Sequence, residues 1–257
     1  MAMNPPLPAW PDCRIWIIGA STGIGAATAR ACLAAGAQVG LSARRADALA
    51  AVAEGHPKAS IVPLDFTDSA AVREGWNTLI AQWGRVDLVL IVAGTHQEMR
   101  AWELDEAKAM ELLKTNLHSV IGTCSVVVPE LLSQQRGAIG IVASVAGYRG
   151  LPKALIYGAS KAAVINFTES LYLDLEPKGI GVYLISPGFV RTPLTDRNEF
   201  PMPALISAEE AAEEILRGLR KGRFEIHFPR RFTRMLKLLQ MLPYRWYFAL
   251  VHRSTGL

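Results

Sequence analysis

Short runs of consecutive apolar residues alternate along this chain with longer, alanine-rich stretches whose apolar positions recur at helical spacing. Most of the short runs are continuous, as in strands of a parallel sheet that helices cover on both faces. The alternation predicts βαβ units with right-handed crossovers, and therefore an α/β fold: a doubly wound parallel sheet of about seven strands, followed by a C-terminal helical tail. The predicted strands are residues 15–18, 38–42, 60–63, 88–92, 138–143, 181–185 and 224–228, and the predicted helices are residues 25–35, 46–54, 69–83, 104–132, 155–175 and 208–220.

The composition supports one globular domain that buries a large core. Of the 257 residues, 51% are hydrophobic and 19% are charged, which excludes a disordered chain and a small disulfide scaffold. No uncharged apolar run reaches the roughly 18 residues that a membrane-spanning helix needs. The first ten residues lack the basic and apolar regions of a signal peptide. We predict an extended arm over residues 1–13, one α/β domain over 14–228 and a basic amphipathic tail over 229–257.

The three cysteines, Cys13, Cys32 and Cys124, are scattered along the chain and include no CxxC pair. Their odd number and wide spacing argue against a disulfide framework and against a metal site. We therefore predict no metal site, and we expect all three thiols to be buried apolar groups in a reducing cytoplasm.

The formal net charge of +4 is unevenly distributed. Residues 217–257 contain ten lysines and arginines and one acid, Glu225, for a net +9, whereas residues 1–216 contain 17 bases and 22 acids, for a net −5. The mixture of bases with large apolar residues in the tail favours packing against the domain or a second subunit. Peripheral contact with an anionic membrane is the alternative. We expect no nucleic-acid partner, because the rest of the chain is acidic and contains no nucleic-acid-reading motif.

A glycine-rich turn follows the first predicted strand and opens the first predicted helix, with Gly19, Gly23 and Gly25 spaced GxxxGxG. Glycines at these places allow a tight turn and a close approach to a pyrophosphate, and the helix N-terminus offers free N–H groups. Such a turn alone is a weak signal, and a purely structural turn is the alternative. Its position in the first βαβ unit indicates a dinucleotide site.

The second predicted strand is followed by Arg44 and Arg45, and no acid lies between Gln38 and Asp47. An acidic side chain at this place binds the ribose 2′-hydroxyl of NAD, whereas a basic one suits the 2′-phosphate of NADP. Arg44 therefore favours NADP, with NAD as the alternative cofactor.

Tyr157 and Lys161 are four residues apart in a predicted helix, so they lie on one face of it. A nearby cation favours the phenolate form of tyrosine and draws its pKa toward the range useful for acid–base catalysis. Ser144 ends a predicted strand, where its hydroxyl would face a cleft at the edge of the sheet. Asn116 is a polar residue within an apolar helical stretch, so it needs a partner or a function.

The chain is similar to the short-chain dehydrogenase/reductase superfamily, in its short single-domain branch, over about residues 14–228. The resemblance implies a Rossmann-like fold and hydride transfer between a nicotinamide cofactor and a carbonyl or secondary alcohol. It implies Tyr157 as general acid or base and Lys161 as the group that lowers its pKa. It also implies Ser144 as a partner of the substrate oxygen and Asn116 as the anchor of a water in a proton relay. The residues that carry it are Gly19, Gly23, Gly25, Asp65, Asn116, Ser144, Tyr157, Lys161 and residues 186–192.

The same resemblance implies which residues hold the cofactor. Asp65 lies where the family contacts the adenine, and residues 187–192 match the segment that holds the nicotinamide. Ile18 replaces a threonine of the family pattern, and Ile91 and Val92 replace two asparagines. With Arg44 added, the predicted cofactor residues are Gly19, Ser21, Thr22, Gly23, Ile24, Gly25, Arg44, Asp65, Phe66, Ala93, Gly94, Tyr157, Lys161, Pro187, Gly188, Val190 and Thr192.

Four further residues lie near these motifs in the sequence: His96, Tyr148, Arg149 and Arg191. For each of them a plain loop residue is the favoured interpretation. The predicted substrate residues are Ser144, Tyr148 and Tyr157. The irregular segment 194–206 has the composition of a mobile lid.

We therefore predict a cytoplasmic, NADP-preferring oxidoreductase that acts on a small-molecule carbonyl or alcohol. The alternatives are a non-catalytic dinucleotide-binding protein that senses redox state and a membrane-surface protein led by its basic tail. The complete set of Asn116, Ser144, Tyr157 and Lys161 favours the enzyme, since a sensor needs no proton relay. Many family members end in a strand that seals a tetramer, whereas this chain continues into the tail, so we expect a homodimer.

Overall fold

Among the residues that this computed structural model describes, 2–196 and 202–255, seven parallel strands form one sheet in the order β3-β2-β1-β4-β5-β6-β7. The strands are β1 (Arg14–Ile18), β2 (Gln38–Ser42), β3 (Ala59–Ile61), β4 (Leu88–Ile91), β5 (Ala138–Val142), β6 (Gly181–Pro187) and β7 (Glu225–Phe228). The helices are α1 (Gly23–Ala34), α2 (Ala46–Ala53), α3 (Ser69–Trp83), α4 (Glu106–Leu113), α5 (Ser119–Gln134), α6 (Leu155–Leu175), α7 (Ala208–Arg220), α8 (Arg230–Gln240) and α9 (Tyr244–Thr255).

The predicted α/β fold is confirmed, and each predicted strand lies within two residues of an observed one. The predicted helix over residues 104–132 is divided in the structure. Asp105 begins α4 by accepting a hydrogen bond from the backbone N–H of Lys108 at 3.0 Å, as an N-cap does. A π-helical turn, Lys114–His118, then separates α4 from α5. Such a turn holds one extra residue, so it changes the direction of the side chains that it carries.

The two faces of the sheet bury separate apolar cores because successive strand residues point to opposite sides. Ile15 and Ile17 of β1 lie in the core under α1, α2 and α7. Trp16 and Ile18 of the same strand lie in the core under α3, α5 and α6. Burial on both faces explains why the strands are continuous apolar runs in the sequence.

Strand order reverses at β1, which pairs with β2 on one side and with β4 on the other. In a doubly wound sheet, the connections that leave two such neighbouring strands run to opposite faces and open a crevice at the carboxyl ends. The segments that follow β1, β4, β5 and β6 therefore converge there.

The N-terminal arm packs against the domain. The Asn4 side chain is buried, and its Nδ2 donates to the Val182 carbonyl at 2.8 Å while its Oδ1 accepts from the Val182 N–H at 2.8 Å. The amide thus pairs with backbone groups of β6. The three cysteines are free and buried, as predicted, and burial raises the pKa of the Cys13 thiol to about 12. Among the described residues, no helix is long and apolar enough to cross a bilayer.

Candidate active site

The turn after β1 requires glycine at two positions for steric reasons. Gly19 has φ +94°, and a Cβ built on it would lie 2.4 Å from the backbone nitrogen of Ala93. A Cβ on Gly25 would lie 2.0 Å from the carbonyl oxygen of Gly19. Both distances are far below van der Waals contact, so the turn can pack against the segment after β4 only with bare backbone. The result is an open backbone surface at the N-terminus of α1.

This surface is one wall of a cleft of about 950 Å³ at the carboxyl edge of the sheet. All seventeen predicted cofactor residues line the cleft, and so does Ser144. Asn116 is fully buried beneath it and does not line it. Lining residues that the sequence analysis did not single out include Thr67, Thr95, Glu111, Lys114, Thr115, Pro193 and Thr195.

The part of the cleft at the carboxyl ends of β2 and β3 is lined by several basic side chains. Arg44, Arg45 and Lys114 line this part of the cleft together with Asp65. A hydrogen bond from the Thr67 N–H at 2.9 Å, with a smaller contribution from the charges of Arg44 and Lys114, holds the pKa of Asp65 below its ordinary value. The position of Lys114, two residues before Asn116 in a helical stretch, carried no sequence signal for this role.

Ser144, Tyr157 and Lys161 lie together at the inner end of the cleft. Ser144 directly follows β5, and its hydroxyl accepts a hydrogen bond from the Ala146 N–H at 3.1 Å and lies beside Tyr157 of α6, whose pKa it acts to lower. The Nζ atom of Lys161 lies 5.9 Å from the centre of the Tyr157 ring and donates to the Val142 carbonyl at 3.1 Å. The i, i+4 spacing places Tyr157 and Lys161 on one face of α6, and the packing of α6 against the turn after β5 brings Ser144 to them.

Burial dominates the titration of these groups. It raises the pKa of Tyr157, although the adjacent Ser144 hydroxyl acts in the opposite direction. It also lowers the pKa of Lys161 to about 8. We expected Lys161 to lower the pKa of Tyr157, whereas in this structure burial raises that pKa. The reason is that the same burial that disfavours the phenolate also disfavours the ammonium that would stabilise it.

Asn116 holds the segment that follows β4. Its Oδ1 accepts from the Thr95 N–H at 2.8 Å, and its Nδ2 donates to the Thr95 carbonyl at 2.9 Å and to Ser160 Oγ at 3.2 Å. Because Asn116 lies in the π-helical turn, the change in helix geometry aims its amide at this segment. The observed contacts give it a positioning role, and the predicted water of a proton relay stays a prediction.

His96, the next residue after Thr95, packs against Tyr157. The His96 and Tyr157 rings meet edge to face with centroids 4.6 Å apart. Burial lowers the pKa of His96, so its neutral form is favoured. The sequence placed His96 near the site without a specific role, and the fold brings it into contact with Tyr157.

Tyr148 and Arg149 point away from the cleft. The Tyr148 hydroxyl donates to Glu225 at 2.5 Å, and its pKa is raised by burial and by that carboxylate. Arg149 contacts the C-terminal tail. Tyr148 was predicted to contact the substrate, but it does not line the cleft. Its side chain instead contacts Glu225 of β7 and Lys237 of α8. Of the segment expected to be a lid, residues 197–201 lie outside the described residues, while Leu194 and Thr195 line the cleft.

The sheet order, the glycine turn and the Ser–Tyr–Lys arrangement define the class as a nucleotide-binding oxidoreductase of Rossmann-like fold. A family model described as short chain dehydrogenase matches residues 14–201. The chain belongs to the short-chain dehydrogenase family, which confirms the predicted resemblance.

Individual relatives agree with this assignment. An uncharacterized oxidoreductase of Myxococcus xanthus is 36% identical over 230 residues, which are 87% of this chain and 91% of that protein. A Burkholderia phymatum short chain dehydrogenase/reductase in complex with NAD is 26% identical, with a TM-score of 0.80 over 88% of this chain and 92% of that chain. A Burkholderia cenocepacia short chain dehydrogenase in complex with NADP is similar in fold, with 23% identity and a TM-score of 0.82 over 98% of this chain and 99% of that chain.

Proposed function

We propose that this protein is an NADP-preferring enzyme that interconverts a carbonyl and a secondary alcohol. One observation carries the proposal: Ser144, Tyr157 and Lys161 adjoin one another in the same cleft as the glycine turn. A phenol can donate a proton to a carbonyl oxygen, and a neighbouring hydroxyl and ammonium can hold that oxygen and tune the acid. A protein that only bound a dinucleotide would have no use for them.

The cleft fits a nicotinamide dinucleotide on two grounds. The glycine turn carries no side chain at Gly19 or Gly25, because a Cβ at either position would clash with neighbouring backbone, and it lines the cleft at the N-terminus of α1, where exposed N–H groups suit a pyrophosphate. Arg44, Arg45 and Lys114 add the positive charge that phosphates need. When bound, such a cofactor supplies the hydride.

The protein's own contribution to the reaction is the proton and its placement. Tyr157 donates its phenolic proton to the carbonyl oxygen, and the Ser144 hydroxyl holds the same oxygen by a hydrogen bond. Lys161, which lines the same cleft, would hold the nicotinamide ribose when the cofactor is bound. Burial raises the pKa of Tyr157, so the phenol keeps its proton at neutral pH and is in the form that can donate it in carbonyl reduction. In the opposite direction the phenolate accepts the proton from the alcohol.

The preference for NADP rests on Arg44, which is exposed at the cleft beside Asp65. We expect Arg44→Asp to shift the ratio of kcat/KM for NADPH over NADH at least tenfold toward NADH, because it replaces a favourable charge with a repulsive one beside the 2′-phosphate. Arg245→Asp, at an exposed arginine of the C-terminal tail that does not line this cleft, is the matched control. An unchanged ratio in Arg44→Asp would remove Arg44 from the cofactor site.

Fluorescence titration of the purified protein with NADPH and with NADH tests the proposal as a whole. We expect tighter binding of NADPH, followed by its oxidation in the presence of a panel of ketones and aldehydes that begins with apolar ones. Failure to bind either dinucleotide would overturn the proposal. Tight binding with no turnover across the panel would favour the redox-sensing alternative.

The remaining parts of the proposal concern setting and assembly. We propose that the enzyme works in the cytoplasm, which is supported by three buried, free cysteines. We also propose that it is a homodimer and that its substrate partner is a small molecule. Light scattering of the eluted protein would contradict the dimer if it gave the mass of one chain or of four.

A further inference from the structure

The two tail helices expose large apolar side chains together with arginines. On α8, Arg231, Arg234, Met235 and Leu238 follow the i, i+3, i+4, i+7 spacing of one helix face, and all four are exposed. On α9, Trp246, Leu250 and Arg253 repeat this spacing and are also exposed. Leu238 is 68% exposed and Trp246 is 65% exposed. We call these seven residues the tail surface.

Three contacts hold the tail against the loop that follows Ser144. Lys237 and Tyr148 both bind the Glu225 carboxylate, so one acid joins α8 to the loop. Arg149 Nη1 donates to the carbonyl oxygen of Leu242 at 2.6 Å, and also to those of Leu239 and Gln240. The Tyr247 hydroxyl donates to the Gly150 carbonyl at 2.7 Å. The tail is therefore anchored through its inner side, and its outer side stays uncovered.

The charge of this outer side has one sign. Residues 229–257 contain six lysines and arginines and no acid. Two of these bases are neutralised within the fold, since Arg230 pairs with Glu214 at 3.3 Å and Lys237 pairs with Glu225. Among residues 2–196 and 202–255, which the structure describes, no ion pair involves Arg231, Arg234 or Arg253. The tail surface thus combines uncompensated positive charge with exposed Leu, Met and Trp.

We propose that the tail surface binds anionic lipid membranes peripherally. Apolar side chains enter the boundary between headgroups and acyl chains, and neighbouring arginines bind lipid phosphates, so the mixture of the two on the exposed face of each tail helix fits this occupant. Trp is a residue that prefers the membrane interface. A second copy bound symmetrically through the same surface would bring like charges together, which disfavours it.

Vesicle flotation of the full-length protein tests this proposal and requires no enzymatic activity. We expect the protein to float with vesicles of phosphatidylcholine and phosphatidylglycerol and to stay in solution with vesicles of phosphatidylcholine alone. The double variant Arg231→Glu/Arg234→Glu should lower the bound fraction at least tenfold, and Leu238→Gln should lower it severalfold. Lys178→Glu/Lys221→Glu and Leu173→Gln make the same changes at exposed positions outside the tail and should bind as the native protein does.

Three results would overturn the proposal. The first is no flotation of the native protein with anionic vesicles. The second is an equal loss of binding in the tail variants and the control variants. The third is that the native protein does not bind vesicles and sediments as a dimer that the tail variants abolish. The last result would identify the partner as a second copy. Because the substituted residues are exposed, we expect the variants to retain the circular dichroism spectrum and NADPH affinity of the native protein. The NADPH titration of the native protein reports separately on the proposed function.

Discussion

Lys161 is the residue at which burial and charge conflict most strongly in this site. It is 4% exposed and binds the Val142 carbonyl, and burial lowers the pKa of its ammonium to about 8 from an ordinary 10.5. Below pH 8 the lysine is charged in both folded and unfolded protein, so the fold bears the full cost of burial. The cost is relieved as pH rises from 8 to 10.5, where only the unfolded chain holds the proton.

We expect Lys161→Met to stabilise the protein by roughly 1–3 kcal/mol at pH 7, because it removes a buried charge while preserving an unbranched side chain. The gain should shrink toward pH 10.5. Urea denaturation of both proteins at pH 7 and pH 10 measures this difference. A variant that is less stable than the native protein at pH 7 would contradict the assigned cost of burial. Turnover in the variant should fall severely, since stability and function compete at such a position.

Tyr157 is the residue on which the proposed chemistry depends. We expect Tyr157→Phe to bind NADPH as tightly as the native protein and to lose at least about a hundredfold in kcat, because it lacks only the proton that a general acid supplies. Steady-state kinetics with any reducible carbonyl from the panel measure the loss. Tyr244→Phe removes a hydroxyl from an exposed tail tyrosine and should leave kcat unchanged. Comparable activity in Tyr157→Phe and the native enzyme would refute the mechanism.

At the scale of elements, the π-helical turn Lys114–His118 holds the segment after β4 in place and contributes Lys114 and Thr115 to the cleft lining. Asn116 in this turn binds both backbone groups of Thr95, and Thr95 precedes the histidine that packs on Tyr157. The turn thus connects the α4–α5 helices to the segment after β4. Helical periodicity over residues 104–132 predicts one continuous helix, since a single extra residue in one turn leaves no mark on the pattern.

We expect Asn116→Ala to destabilise the protein by roughly 2–3 kcal/mol, because the N–H and the carbonyl of Thr95 lose their partners. Ser160→Ala, which removes only the third partner of Asn116, should cost less. Urea denaturation compares the two variants. Rescue of turnover, but not of stability, by a hydrogen-bonding replacement such as Asn116→Ser would point to the relay role instead of the positioning role.

At the scale of the whole molecule, Arg149 joins the tail to the domain. Its guanidinium donates to three carbonyl oxygens around the end of α8 and lies 4.7 Å and 4.1 Å from the ring centres of Tyr244 and Tyr247. A cation at the C-terminal end of a helix satisfies carbonyls that have no partner within the helix. A single loop residue therefore anchors two helices.

We expect Arg149→Ala to weaken the attachment of the tail by roughly 3 kcal/mol, the combined order of charged hydrogen bonds and cation–π contacts. Limited trypsin digestion with mass spectrometry should then release fragments cut after residues 230–237 faster than in the native protein. Arg245→Ala, an exposed arginine of the same tail, is the control and should digest at the native rate. Equal rates in both variants would mean that Arg149 does not hold the tail.

Local sequence patterns specified the seven strands, most of the helices that cover them and many of the residues that line the cleft. Continuous apolar runs specify buried parallel strands, and a doubly wound sheet gathers the segments after β1, β4, β5 and β6 at one edge. Gly19, Gly25, Ser144 and the Tyr157–Lys161 pair follow from strand ends or from i, i+4 spacing. Local rules sufficed to place each of them at a strand end or on one helix face, because that placement depends on neighbours in the chain.

The tertiary structure alone decided the contacts between distant segments. His96 meets Tyr157, Lys114 joins Arg44 near Asp65, and Tyr148 turns away from the cleft toward Glu225. None of these contacts has a fixed spacing in the sequence, because each depends on how loops from different strands pack. The pKa values of Lys161 and Tyr157 also depend on the tertiary structure, because burial is a property of the assembled fold. Burial raises the pKa of Tyr157, whereas the spacing of the two residues predicts that Lys161 lowers it.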